Sequence, residues 1–344
     1  MTGWPRNNRQ WLLASRPHGR LKLSDFAFHE ERLEEPDLAP GEIMVRNHVF
    51  SCAPTMRNFL NPPERSYRAS VPLGTPVRGV TAGEVVASAD PAYPVGTRVA
   101  TMARWEDYTR LNPGASDIPV YPVTGESDYI EMLGAASLNS LTAYFGMYRV
   151  GACKAGETVV VSGAAGSVGT MACQYARLAG CRVIGIAGGP GKCGWLVDTL
   201  GIDAAIDYRA EDVRARLAEL CPDGVNVFFD NVGGDILQAV MPNMAVHGRI
   251  AVCGQVSAYD GDTPAPGPSD MMRVVYWRIR IEGFVLGDFA DEVEEARDVI
   301  RAWHREKKLV TREDVRRGFE RLPAAFLDLF EGANNGSLLV TADA

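Results

Sequence analysis

Thr158-Val-Val-Val-Ser-Gly-Ala-Ala-Gly-Ser-Val-Gly169, continuing through 170–179 to Gly180-Cys-Arg-Val-Ile-Gly-Ile-Ala187, decides the fold. Val159, Val160 and Val161 form a short unbroken apolar run, the pattern of a parallel strand covered on both faces. Gly163, Gly166 and Gly169 follow at every third position. After them Val168, Met171, Ala172, Tyr175, Leu178 and Ala179 fall on one face of a helix that stops at Gly180, and Arg182 to Ala187 reads as a second strand. Strand, glycine turn, helix, strand: the chemistry of that unit is anion binding. Main-chain N–H groups and the positive end of the helix dipole meet at the turn, and glycine lets a pyrophosphate approach the backbone. A dinucleotide is the ligand this predicts, although Ala164 stands where the first glycine of G-x-G-x-x-G would fall.

The end of the second strand chooses between dinucleotides. A carboxylate there would bind the ribose 2′-hydroxyl of NAD, whereas an NADP site drops the acid and supplies cations. The chain reads Ile186-Ala-Gly-Gly-Pro-Gly-Lys192, without an acid. This favours NADPH with Lys192 on the 2′-phosphate, a solvated surface lysine being the competing reading.

Working outward, 133–286 alternates strand and helix, the sequence form of a doubly wound parallel sheet. Ala204 to Asp207, Val225 to Asp230, Arg249 to Gly254 and Arg280 to Leu286 bring its strands to six, with helices expected at Glu211 to Leu220 and Ile236 to Met244. Residues 1–130 instead carry short apolar segments between Pro- and Gly-rich turns, an all-β pattern with strands at Gln10 to Ser15, Glu42 to Phe50, Val80 to Ala87 and Gly96 to Met102. The tail reads as a charged amphipathic helix (Asp288 to Leu309), a second helix (Ala324 to Glu331) and a strand (Ser337 to Thr341) that returns to the first domain. The fold class is therefore α/β, with a β-rich domain over 1–132, a nucleotide-binding domain over 133–309 and a return segment over 310–344.

With 344 residues the chain accommodates two domains, and 46% hydrophobic against 23% charged residues is the balance of a soluble globular protein. A formal charge of −8 argues against nucleic-acid partners. Seven cysteines without a Cys-x-x-Cys pair fit reduced thiols, and neither a leader nor a membrane-length apolar run is evident; the expectation is a cytoplasmic enzyme with no membrane partner.

Arg9-Gln-Trp-Leu-Leu-Ala-Ser-Arg-Pro17, Leu141-Thr-Ala-Tyr-Phe-Gly146, Gly156-Glu-Thr-Val-Val-Val161, Gly163-Ala-Ala-Gly-Ser-Val-Gly169, Phe229-Asp-Asn-Val-Gly-Gly234, Glu282-Gly-Phe284 and the segment Asn334 to Val340 together resemble a known group. It is the zinc-independent leukotriene B4 dehydrogenase and prostaglandin reductase group of the medium-chain dehydrogenase/reductases, which also contains curcumin and alkenal reductases. The resemblance spans nearly the whole chain. It implies a GroES-like catalytic domain beside a Rossmann domain, a homodimer, and NADPH-dependent reduction of the carbon–carbon double bond of α,β-unsaturated aldehydes and ketones. Carried over by position, it implies Gly166, Ser167, Val168 and Gly169 on the pyrophosphate and Lys192 with Tyr208 on the 2′-phosphate. Further cofactor contacts implied are Asn231, Cys253, Gly254, Ser257, Tyr259, Phe284, Val285, Leu286 and Asn334. Tyr259 would also be catalytic, steadying the oxygen on which negative charge builds as hydride reaches the β-carbon.

Catalytic zinc in this superfamily needs three protein ligands. None of the five histidines lies in Gly-His-Glu, so Cys52 reads as a packed thiol and no metal is expected. Two departures fall near the implied pocket. Ala53-Pro-Thr-Met-Arg57 carries Thr55 where the group often has a tyrosine, beside Arg57, and Leu138-Asn-Ser140 replaces a Met-Pro-Gly. Substrate identity is therefore left open. Tyr144 and Phe145 read as core or cleft wall, His48 and His247 as structural or surface residues, and 288–295 as a solvated helix face. A quinone or carbonyl reductase is the nearest alternative, and a non-catalytic NADPH-binding scaffold the next.

Overall fold

Apolar residues at alternate positions in the first part of the chain, and in unbroken runs in the middle, produce two different kinds of sheet. The structure, a computed structural model, describes residues 4–66, 69–116, 119–123, 128–134, 137–259 and 266–343. It divides into two units, Met1–Leu133 with Glu313–Ala344, and Gly134–Arg312.

In the first unit, β1 (Arg6–Leu13) and β2 (Phe26–Leu33) form an antiparallel pair, Arg6 opposite Leu33. Then come β3 (Ile43–Cys52), α1 (Met56–Phe59), β4 (Arg78–Ser88), β5 (Arg98–Arg104), β6 (Tyr108–Leu111), β7 (Tyr121–Pro122) and α2 (Tyr129–Met132). The second unit holds α3 (Leu138–Phe145), β8 (Thr158–Ser162), α4 (Ser167–Leu178), β9 (Arg182–Ala187), α5 (Pro190–Asp198), β10 (Ala204–Asp207), α6 (Val213–Leu220) and β11 (Val225–Asp230). It continues with α7 (Gly234–Val240), β12 (Met244–Val252), α8 (Val256–Tyr259), α9 (Met272–Trp277), β13 (Arg280–Gly283) and α10 (Val293–Arg305). The tail re-enters the first unit with β14 (Glu313–Arg317), α11 (Leu322–Glu331) and β15 (Ser337–Thr341).

The returning strand does what the sequence requires of it: β15 pairs antiparallel with β3 and parallel with β14, in a sheet ordered β14-β15-β3-β4-β5-β7 with β6 also on β3. Trp105, Phe50, Phe319 and Phe326 form its fully buried aromatic core, with Trp105 edge-on to Phe326 at 5.6 Å. Several boundaries differ from expectation. β2 alternates little and is mostly exposed, and β14 is Glu-Asp-Val-Arg-Arg, so neither carries a hydrophobic signal. β12 begins at Met244, where the sequence pattern extended a helix, because Pro242 opens a 3-10 turn that closes the helix.

The second unit is the expected doubly wound sheet. Its six parallel strands run in the order β10-β9-β8-β11-β12-β13, the dinucleotide-binding order with its reversal between β8 and β11. Val160, Ile184, Phe228 and Ile250 fill the sheet's interior. Helix α4 is buried from Gly169 to Ala176, so its apolar face is broader than the pattern indicated, while Leu178 is 38% exposed. Tyr144 and Phe145 close α3. Tyr144 packs with Tyr148, Tyr175 and Trp303, and Phe145 stacks on Phe289 at 4.6 Å. Among the described residues no helix is long and apolar enough to cross a membrane.

Candidate cofactor and active site

In an open parallel sheet ligands sit beyond the carboxyl ends of the strands at the point where strand order reverses. Here that point is the glycine turn between β8 and α4. Gly163 has φ +58°, a left-handed conformation that a side chain disfavours. A Cβ on Gly169 would lie 2.2 Å from the carbonyl oxygen of Gly163 and 2.8 Å from Cα of Ala164, both backbone atoms. Only glycine lets the helix start so close to the strand. Gly166 is the N-cap of α4 and no side chain caps the first turn, so Ser167, Val168 and Gly169 present their main chain at the positive end of the helix. Asn139 donates to the Ser167 hydroxyl at 2.9 Å.

The neighbouring strand ends are knotted together. Asp230, at the end of β11 and fully buried, accepts from the Ser162 hydroxyl at 2.8 Å and from the N–H groups of Val232 and Gly233 at 3.0 Å each. Asn231 donates to the Ser162 carbonyl at 2.7 Å. The loop after β12 is bonded to this one, because Cys253 and Gly254 donate to the Asp230 carbonyl at 2.8 and 3.1 Å, and the Ser257 hydroxyl to Val232 at 2.6 Å. Burial pushes the Asp230 carboxyl above the ordinary carboxylate range and the Cys253 thiol up to about 12, Asp230 adding to the second effect.

Tyr259 closes α8 in that same loop. Its hydroxyl accepts from the Gln255 N–H at 3.3 Å and lies 3.1 Å from where a Cβ of Gly254 would be. The Gln255 main chain thus holds the phenol oxygen over the loop. Phe284 follows β13 and packs edge-on to Phe229 at 6.3 Å. A Cβ on Gly146 would come within 2.5 Å of both rings, so a bare backbone at Gly146 admits them. Val285 is exposed, its N–H bonded to Asp288, and Leu286 opens the 3-10 turn to Glu292.

Just beyond the end of β9, Lys192 lies in the first turn of α5. Tyr208 and Arg209 lean over Gly188 from the end of β10; a Cβ on Gly188 would be 2.9 Å from both the Arg209 Nε and the Tyr208 ring. Asp207 accepts from the N–H groups of Gly189 and Arg209 at 2.8 and 3.0 Å and so fixes both loops. Arg209 is the residue that sequence reasoning missed. Its signal was the Tyr-Arg pair after β10, visible only once β9 and β10 are known to be neighbours.

Thr55, Arg57 and Asn334 belong to the first unit. Thr55 is exposed at the start of α1. Arg57 is 3% exposed, and its guanidinium donates to the carbonyls of Pro17 and Gly19 and to Asn61. Its charge is therefore spent in holding the 17–19 segment. Asn334 donates to the Gly336 carbonyl at 2.8 Å, shaping the entry to β15. Cys52 is in the aromatic core, its thiol pushed up to about 12 by burial. Among the described residues no three His, Cys, Asp or Glu side chains gather where a metal ion could be held.

A glycine-turn nucleotide domain carrying a β-rich domain closed by its own C-terminal strand is the architecture of the medium-chain dehydrogenase/reductases, and the chain belongs to that superfamily. Two family models match it, one described as the N-terminal domain of oxidoreductase over residues 9–117 and one as zinc-binding dehydrogenase over 167–302. Within the superfamily it is a member of the leukotriene B4 dehydrogenase and prostaglandin reductase group. It is 36% identical to the NADPH-dependent curcumin reductase of Escherichia coli, over 97% of this chain and 96% of that one. It is 34% identical to the NADP-dependent 2-alkenal reductase of Nicotiana tabacum, over 97% of each. The crystal structure of CurA in complex with NADPH from Vibrio vulnificus superposes with a TM-score of 0.89 at 34% identity, over 98% of this chain and 99% of that one.

Proposed function

We propose that this chain reduces the carbon–carbon double bond of α,β-unsaturated aldehydes or ketones, delivering hydride to the β-carbon. It is an NADPH-dependent double-bond reductase of its group. The observation that carries the substrate reading is Tyr259, whose hydroxyl is seated over Gly254 with its acceptor side filled by the Gln255 N–H.

The nucleotide supplies the hydride; the protein's part is to hold and to polarise. The glycine turn and the first turn of α4 receive the pyrophosphate, Lys192, Tyr208 and Arg209 the 2′-phosphate, and the loop carrying Asn231 and 253–257 borders the nicotinamide. Phe284, Val285 and Leu286 cover it. Tyr259 donates to the substrate carbonyl oxygen, and its hydrogen bond strengthens as charge moves there during hydride arrival. A donor of this kind does the work that a metal ion would otherwise do. Thr55 is smaller than the tyrosine its group often carries, which favours bulkier enones as substrates.

Purified enzyme given NADPH with an enone, an alkenal, a quinone and a saturated aldehyde, each with product analysis, tests the reading. The saturated ketone or aldehyde is expected as product, at a rate unaffected by a chelator. An allylic alcohol, turnover of the quinone alone, or NADPH binding without turnover of any of them would each refute it, and a rate lost to the chelator would restore a metal.

A homodimer through the edge of the nucleotide sheet also fits this reading. β13 is exposed along its whole length, and Met271, Met272, Val275 and Tyr276 ahead of it and Ile281 within it leave large apolar side chains in solvent. Sedimentation equilibrium is expected to give twice the chain mass, and Ile281→Arg to give a monomer; a monomeric wild type would remove the dimer. A cytoplasmic setting accords with seven cysteines that are all free.

A further inference from the structure

Cys153 and Cys181 lie outside the cofactor machinery, at the opposite end of the sheet from the glycine turn: one precedes β8, the other immediately precedes β9. The two segments are zipped together by main-chain bonds, Gly156 N–H to the Gly180 carbonyl and Arg182 N–H to the Glu157 carbonyl, each at 2.9 Å. Arg249 pins the first segment from below, donating to the carbonyls of Gly151 at 2.9 Å and Ala152 at 2.8 Å and pairing with Glu157 at 2.7 Å. The Cys181 sulfur lies 3.2 Å from the carbonyl oxygen of Lys154, the residue next to Cys153. Cys153 beside it holds the Cys181 thiol below its ordinary value, with burial and Glu157 opposing and Arg249 assisting, while Cys181 and burial push the Cys153 thiol up. Cys181 is buried and Cys153 half-buried beside it, whereas Cys52, Cys173 and Cys221 are buried singly.

We propose that Cys153 and Cys181 form a dithiol site that a hydroperoxide oxidises to an intramolecular disulfide. The Cys181 sulfur attacks one peroxide oxygen, the O–O bond breaks, and the leaving oxygen departs as water or alcohol with the thiol proton. The Cys153 sulfur then attacks the resulting sulfenic acid, an S–S bond forms, the S–O bond breaks, and water leaves with the Cys153 proton. Two thiols lose two electrons and the peroxide gains two. The bridge encloses β8, the glycine turn and α4, so it staples the nucleotide-binding unit at its base. This inference stands apart from the proposed substrate.

Hydrogen peroxide added to the full-length protein, followed by denaturing alkylation and peptide mapping, is the test. The expected product has lost two of its seven alkylatable thiols and contains one peptide joining 153 to 181, and dithiothreitol reverses both changes. Cys153→Ser is expected to abolish the cross-linked peptide and to give added oxygen at Cys181 instead; Cys181→Ser also abolishes it. Cross-links to other cysteines, or added oxygen in the wild type with 153 and 181 still unlinked, would overturn the assignment. So would seven thiols persisting at peroxide levels that oxidise Cys181 in Cys153→Ser.

Discussion

Tyr259→Phe is expected to lower kcat for enone reduction by on the order of 10², the loss of about 2.7 kcal/mol that follows removal of one donor aimed at a developing oxyanion. The substitution deletes a single oxygen and leaves the ring, so the α8 loop keeps its packing. The Gln255 N–H that the oxygen occupied is only half-buried and turns to water at small cost. NADPH affinity and the thermal unfolding midpoint should therefore stay close to wild type, and KM for the enone should change little, because the bond tightens mainly in the transition state. Steady-state kinetics with fluorescence titration of NADPH checks this. A kcat within about threefold of wild type would take Tyr259 out of the chemistry; a matching fall in NADPH affinity would make it a cofactor contact only.

Lys192→Ala combined with Arg209→Ala should raise KM for NADPH by about 10² while moving KM for NADH little. Each cation contributes a charge-assisted hydrogen bond to the one group that distinguishes the two nucleotides, worth roughly 1.5 kcal/mol apiece at a site open to solvent. The first turn of α5 adds its dipole to Lys192, and that part survives the substitution. Single variants should each show about a tenfold effect. Equal losses for the two nucleotides would mean that the pair does not touch the 2′-phosphate, and an unchanged Arg209→Ala would return the site to Lys192 and Tyr208 alone.

The sheet of the second unit was legible because its central strands β8, β9 and β11 are buried on both faces and announce themselves as apolar runs; these and the shorter β10 fall where the sequence predicts. The first unit was less so. β2 and β14 exist because their backbones complete a ladder, a reason that leaves no trace in side-chain pattern. The glycine turn and Lys192 could be read locally, since turn, helix start and strand end are contiguous in the chain. Arg209 could not, as its place depends on β10 lying beside β9. The setting of Arg57 was hidden for a related reason, since only the fold brings the carbonyls of Pro17 and Gly19 to its guanidinium.

The buried carboxylate of Asp230 ties β8 to the turn after β11, its main-chain carbonyl holds the turn beyond β12, and the second carboxylate oxygen has no hydrogen-bond partner among the described residues. A floor built this way resists piecemeal revision, since altering one strand end unsettles two others. Diversification of what the enzyme accepts must then fall on residues outside this knot. Selection for new reactants would leave the nucleotide platform nearly untouched.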